Sequence, residues 1–147
     1  MTTTTSPRPL LARPTDGHDD DVAAIRAVVA DVEAGFNGND VDRATAHFAA
    51  DAVSVGVTGA ELVGIDAIVA AHRSLFAGVL ADQHARYEVV DVAFVRPDVA
   101  LARKHAWATD AEGTDLDVGH AMVALYVMVR EEGRWWIAAR QNTLAPT

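Results

Sequence analysis

Apolar residues recur at helical spacing over residues 19–36, where Val22, Ile25, Val28, Val29, Val32 and Phe36 fall on one face. Asp19, Asp20 and Asp21 stand at the start of that run, where the unpaired N–H groups of a helix attract negative charge. The pattern predicts a first helix. Gly35-Phe36-Asn37-Gly38-Asn39-Asp40 interrupts it, and Asp40 is placed to cap a short second helix through Val41, Ala44, Thr45 and Phe48. Residues 52–57 read as a strand, Gly56, Gly59 and Gly64 suit turns, and Glu61-Leu62-Val63 forms a short return strand. Ile65, Ile68, Val69, His72, Leu75, Phe76 and Val79 restore the helical period and predict a third helix reaching residues 80–82.

No helical period returns after that point. Residues 87–95 and 99–109 are parted by Arg96-Pro97-Asp98, and residues 117–130 and 134–143 by Glu131-Glu132-Gly133, which predicts four long antiparallel strands. Helices first and a meander after them is the pattern of an α+β domain, with three N-terminal helices packed on one face of a strongly curved antiparallel sheet. One domain over residues 19–147 accounts for the pattern, and residues 1–18, rich in Thr, Pro and Asp, read as a flexible tail.

Which strand face looks inward is the open point. Pairing the last two strands across Glu131-Glu132-Gly133 sets Val129 opposite Trp135, Val127 opposite Ile137, Leu125 opposite Ala139 and Val123 opposite Gln141, an almost wholly apolar face assigned to the interior. Met128 with Trp136, Tyr126 with Ala138, Ala124 with Arg140 and Met122 with Asn142, followed by His120, then form the convex face and a candidate homodimer seam. A slip of one residue exchanges the faces and brings Arg140, Asn142, Tyr126 and His120 inside. On the strand over residues 99–109, Lys104 argues that it and the alanines beside it look outward, which turns Arg103, His105 and Trp107 inward.

Gln141 on the inner face needs a polar partner, because an unpaired buried polar group costs about 1–3 kcal/mol, and a small-molecule pocket supplies one. His72 lies on the buried stripe of the third helix, four residues from Ile68 and from Phe76, where an imidazole is placed either for proton transfer or for a bond to backbone. Trp107 beside His105 offers a flat stacking surface, or a structural anchor. The candidate site is therefore His72 and His105 as acid–base groups, with Phe76, Trp107, Gln141 and Asn142 holding the ligand. Asp91, Asp98, Asp110, Asp115 and Asp117 fall mostly at strand ends or turns, and only Asp117, near His120, is a candidate base.

Composition narrows the function classes. At 147 residues the chain affords one core without staples, and it contains no cysteine, which excludes disulfides, thiolate metal sites and cysteine nucleophiles. A net charge of −9 disfavours nucleic acid and anionic membranes as partners. The longest apolar stretch, residues 121–129, falls short of the ~20 residues of a membrane span, and the absence of a signal-like core predicts a cytoplasmic protein. No G-x-G-x-x-G follows a strand and the six histidines show no paired spacing, so neither a nicotinamide cofactor nor a metal is expected.

The element order, with Gly64-Ile65-Asp66-Ala67-Ile68, Arg96-Pro97-Asp98-Val99-Ala100 and Gly133-Arg134-Trp135, resembles the SnoaL-like, nuclear-transport-factor-two-like superfamily. The ending Ala138-Ala139-Arg140-Gln141-Asn142-Thr143 resembles more narrowly the SgcJ/EcaC group. The resemblance implies a cone-shaped α+β barrel with an internal cavity, often dimeric through the sheet. Its members include isomerases, polyketide cyclases, epoxide hydrolases, dehydratases and non-catalytic domains, so the fold leaves function open. The narrower group implies a setting in natural-product biosynthesis, notably of enediyne polyketides. The expectation is thus a cofactor-independent protein holding a small hydrophobic, aromatic or polyene ligand. The alternatives are a cyclase, isomerase or dehydratase working through histidine, and an accessory dimer contacting partners through Tyr126, Trp136 and Arg140.

Overall fold

The structure, a computed structural model, describes residues 6–147. It contains three helices, α1 (Asp19–Asn37), α2 (Val41–Thr45) and α3 (Ile65–Ala77), and six strands, β1 (Phe48–Val55), β2 (Glu61–Val63), β3 (His84–Arg96), β4 (Val99–Thr109), β5 (His120–Glu131) and β6 (Arg134–Pro146). The predicted α+β architecture is the one found. Ile25, Val28, Val29 and Val32 are the buried stripe of α1, and Ile68, His72 and Phe76 that of α3.

Local chemistry sets the joints. Asp40 accepts a hydrogen bond from the Arg43 N–H at 3.0 Å, capping α2 as its position implied. The helical hairpin closes on Gly35, where an added Cβ would meet Ala44 backbone nitrogen at 2.4 Å, so only glycine lets α2 lie this close to α1. Two boundaries differ from expectation. Phe48 opens β1 instead of closing α2, because it pairs with Ile137 of β6 and buries its ring. Helix α3 stops at Ala77, since Gly78 ends it and the Leu80 N–H turns back to Leu75 carbonyl at 2.9 Å, leaving Val79 exposed.

The sheet order is β2-β1-β6-β5-β4-β3. The four long strands form the expected antiparallel meander, and β1 joins it parallel to β6, a pairing that local turn signals do not announce. Residues 13–18, read as part of a flexible tail, lie against β3: the Arg13 N–H donates to Phe94 carbonyl at 2.8 Å and the His18 ring stacks on Phe94 at 4.4 Å.

The inner face of the sheet differs from expectation on two strands. Met128 pairs with Ile137, not Val127, and a bulge then makes Val127 pair with Ala139, so that Ala138 is an extra residue in β6. Because side chains alternate, the extra residue switches the phase of the strand: Trp135 and Ile137 point inward before the bulge, Arg140 and Asn142 after it. Gln141 therefore faces out and is exposed. On β4 the phase is the opposite of that expected. Ala100, Ala102, Lys104 and Ala106 are buried, and Arg103 is exposed. Small side chains are what a concave face beneath helices needs, and they outweigh the preference of one lysine for water.

Candidate functional site

Phe94, Tyr126, Met128, Trp135 and Ile137 fill one end of the space between sheet and helices. The other end is hollow. A cavity of about 500 Å³ lies there, walled by Val32 and Phe36 of α1, His72, Leu75 and Phe76 of α3, Leu62 of β2 and Ala106 of β4. It stays open because the β4 face is lined with small alanines, and Asn37 fixes the helix to the sheet at its edge. That side chain donates to Ala85 carbonyl at 2.9 Å and accepts the Ala85 N–H at 2.8 Å, tying the end of α1 to the start of β3.

The polar groups gather on one wall. Ser54 of β1, Tyr87 of β3, Lys104 of β4, Arg140 and Asn142 of β6, and His72 all line the cavity, with His120 of β5. Arg140 Nε donates to Ser54 Oγ at 3.3 Å, its Nη2 lies 3.5 Å from His72 Nε2, and its guanidinium sits 4.8 Å from the centre of the Phe48 ring. His72 Nδ1 is 2.7 Å from Ile68 carbonyl, which can only accept, so Nδ1 carries the proton and Nε2 accepts from Arg140. Burial, with the Arg140 charge adding to it, holds the imidazole below its ordinary pKa against that carbonyl's opposing pull, and the ring is therefore neutral. Lys104 is 2% exposed and forms no hydrogen bond or ion pair among the described residues. Its ammonium lies 3.7 Å from the centre of the Tyr87 ring, a cation–π contact. Burial, then Arg140, brings its pKa down to about 7, with Glu33 partly opposing. Burial raises the Tyr87 and Tyr126 phenols, which stay protonated. Among the described residues two buried oxygens, Asn142 Oδ1 and Tyr126 Oη, have no hydrogen-bond partner.

The sequence candidates divide accordingly. His72, Phe76 and Asn142 line the cavity together with Arg140 and His120, and Tyr126 is fully buried on the same inner face; the bulge gives Arg140, Asn142, Tyr126 and His120 the inward placement that a one-residue slip would have given them, while Trp136 stays outside. The Phe76 ring packs nearly perpendicular to those of His72 at 5.6 Å and Phe36 at 6.1 Å. His105 lies on the convex face with its ring 5.9 Å from that of Trp107, so the inward orientation expected for it does not hold. Trp107 reaches the cavity border, but its ring is covered by the Arg86 guanidinium at 4.3 Å. Trp136 lies under Arg134 at 3.7 Å, away from the cavity. Asp117 is exposed and accepts the Gly119 N–H at 3.0 Å, which makes it a turn residue. Sequence reasoning missed Lys104, Tyr87 and Ser54. The signal was present for Lys104, as a lysine in phase with Ala100, Ala102 and Ala106.

The arrangement suits a mostly apolar molecule with an oxygen at the polar wall, where donors exceed acceptors. Among the described residues no cluster of histidine and carboxylate side chains could hold a metal ion, and no helix is long and apolar enough to cross a membrane.

Solved structures share this architecture. A domain of unknown function with a cystatin-like fold from Nostoc punctiforme is 26% identical, with a TM-score of 0.80 over 88% of this chain and 80% of that one. A ketosteroid isomerase-like protein from Erwinia carotovora atroseptica is 21% identical, with a TM-score of 0.70 over 88% of this chain and 99% of that one. Aln2 from a Streptomyces species is 22% identical, with a TM-score of 0.70 over 85% of this chain and 91% of that one. A search of curated proteins returns no match. The family model of the SnoaL-like domain matches residues 19–141, which span both the helices and the polar wall, and the chain belongs to that family.

Proposed function

We propose that this protein binds a small, largely apolar molecule in the cone cavity without a cofactor, in the setting of natural-product biosynthesis. The observation that carries the reading is the cavity of about 500 Å³, within the range of small-molecule sites, with mostly apolar walls and with Ser54, Arg140 and His72 in contact among its polar groups. The ending of β6, which resembles the SgcJ/EcaC group, supports the polyketide-type setting. A neutral naphthalene dye, prodan, tests the site. Wild-type protein is expected to bind one equivalent with blue-shifted emission, and Ala106→Phe, which fills the space from the floor, is expected to lose that binding while keeping its circular dichroism. Equal binding by both proteins would place the dye elsewhere and refute the cavity as the site.

One observation favours a catalytic form of the same reading, as a cyclase, isomerase or dehydratase. Lys104 is held near pKa 7 inside the cavity, where an amine can take and return a proton at neutral pH. A proton leaving a carbon beside a ligand carbonyl would pass to the Lys104 amine, and the enolate oxygen so formed would face Arg140. His105 has no part in this step, and His72, with Nε2 turned to Arg140, positions the guanidinium. Lys104→Met should then abolish turnover of a pathway polyketide without loss of affinity for a neutral ligand; retained turnover would leave binding as the function.

A further inference from the structure

The polar wall carries more positive charge than the chain balances. Arg140 and Lys104 both line the cavity, and among the described residues no aspartate or glutamate does. The ion pairs among the described residues, such as Arg43 with Asp31, Arg86 with Asp115 and Arg130 with Asp21, lie elsewhere. Glu33, the acidic group whose charge reaches Lys104, has its carboxylate bound to the Tyr87 backbone N–H. Among the described residues Arg140 meets a hydroxyl, a neutral imidazole and the face of Phe48, and Lys104 meets only aromatic faces. This happens in a chain of net charge −9, whose average field would favour the reverse. Burying one cation without a counter-ion costs several kcal/mol, and two neighbouring ones repel each other as well. Such a wall is stable at that cost and becomes favourable when the occupant brings the missing charge.

We propose that the occupant is an organic monoanion, its carboxylate seated between Arg140 and Lys104 and its apolar body against Phe36 and Phe76. The planar guanidinium fork matches a carboxylate, and the ammonium supplies a second donor from the neighbouring side. The apolar remainder of the cavity, including Leu62 and Leu75, requires that the rest of the molecule carry little charge. This rests on the small-molecule reading above and adds the ligand's charge class to it.

Isothermal titration of the full chain with 2-naphthoate and its uncharged isostere 2-naphthamide tests the assignment. Wild-type protein is expected to bind the carboxylate about tenfold or more tightly over the amide, the scale of one charge-assisted hydrogen bond. In Arg140→Gln and in Lys104→Met the preference is expected to shrink to about twofold, with amide binding retained; Lys104→Met serves on its own if Arg140→Gln fails to fold. Equal or tighter binding of the amide by wild-type protein overturns the monoanion and leaves the cavity site standing. A carboxylate preference that survives in Lys104→Met overturns the placement between the two cations. Binding of neither probe overturns the cavity reading and this inference together.

Discussion

A lysine buried among alanines can lower its cost by giving up its proton or by finding a π face, and Lys104 does both, with a pKa brought down to about 7 and the Tyr87 ring 3.7 Å from its ammonium. The linkage has a definite sign. Between about pH 7 and the ordinary lysine value of 10.5 the unfolded chain holds a proton that the folded chain has released, so wild-type stability rises with pH through that window. Lys104→Met removes the penalty and is expected to stabilise the protein by about 2 kcal/mol at pH 7, with the advantage narrowing toward pH 9. Urea denaturation at the two pH values checks it; a destabilised variant, or a gap that does not change with pH, contradicts the buried, partnerless cation. His72 and Phe76 were legible because a helix repeats its faces by fixed spacing, which put them on the stripe of Ile68. Lys104 shares the phase of Ala100, Ala102 and Ala106, yet that signal pointed outward, because charge burial is normally excluded and a sequence does not show that a strand faces a hollow.

At the level of elements, hydrophobic period and turn residues located the helices and the four long strands, and Asp40 located the start of α2. The phase of the strands was another matter. One extra residue at Ala138 decides whether Gln141 or Arg140 looks into the cavity, and in Ala138-Ala139 neither side chain favours a face. The bulge also redraws the convex surface. Tyr126, Arg140 and Asn142 are withdrawn from it, while Leu125 is 44% exposed and Val90 37% exposed on it, with Trp136 half-buried near its edge. We propose this remodelled face, centred on Leu125, as the seam of a homodimer. Sedimentation is expected to show a dimer for the wild type and a monomer for Leu125→Glu; a monomeric wild type contradicts the seam.

For the whole molecule, the division of the space under the sheet is the central point: aromatic and aliphatic packing at one end, about 500 Å³ left open at the other, and uncompensated cations on the wall between β4 and β6. The fold class and the presence of a cavity followed from element order and family resemblance. The charge of the cavity did not, since it depends on Lys104 and Arg140 converging from strands whose phases only the structure defines. The most direct measurement is a crystal structure of the full chain with 2-naphthoate. One molecule is expected inside the cone, its rings beside Phe36 and Phe76 and its carboxylate oxygens within about 3 Å of the Arg140 guanidinium and Lys104 Nζ. A carboxylate turned to the mouth, or a molecule bound outside the cavity, would contradict it.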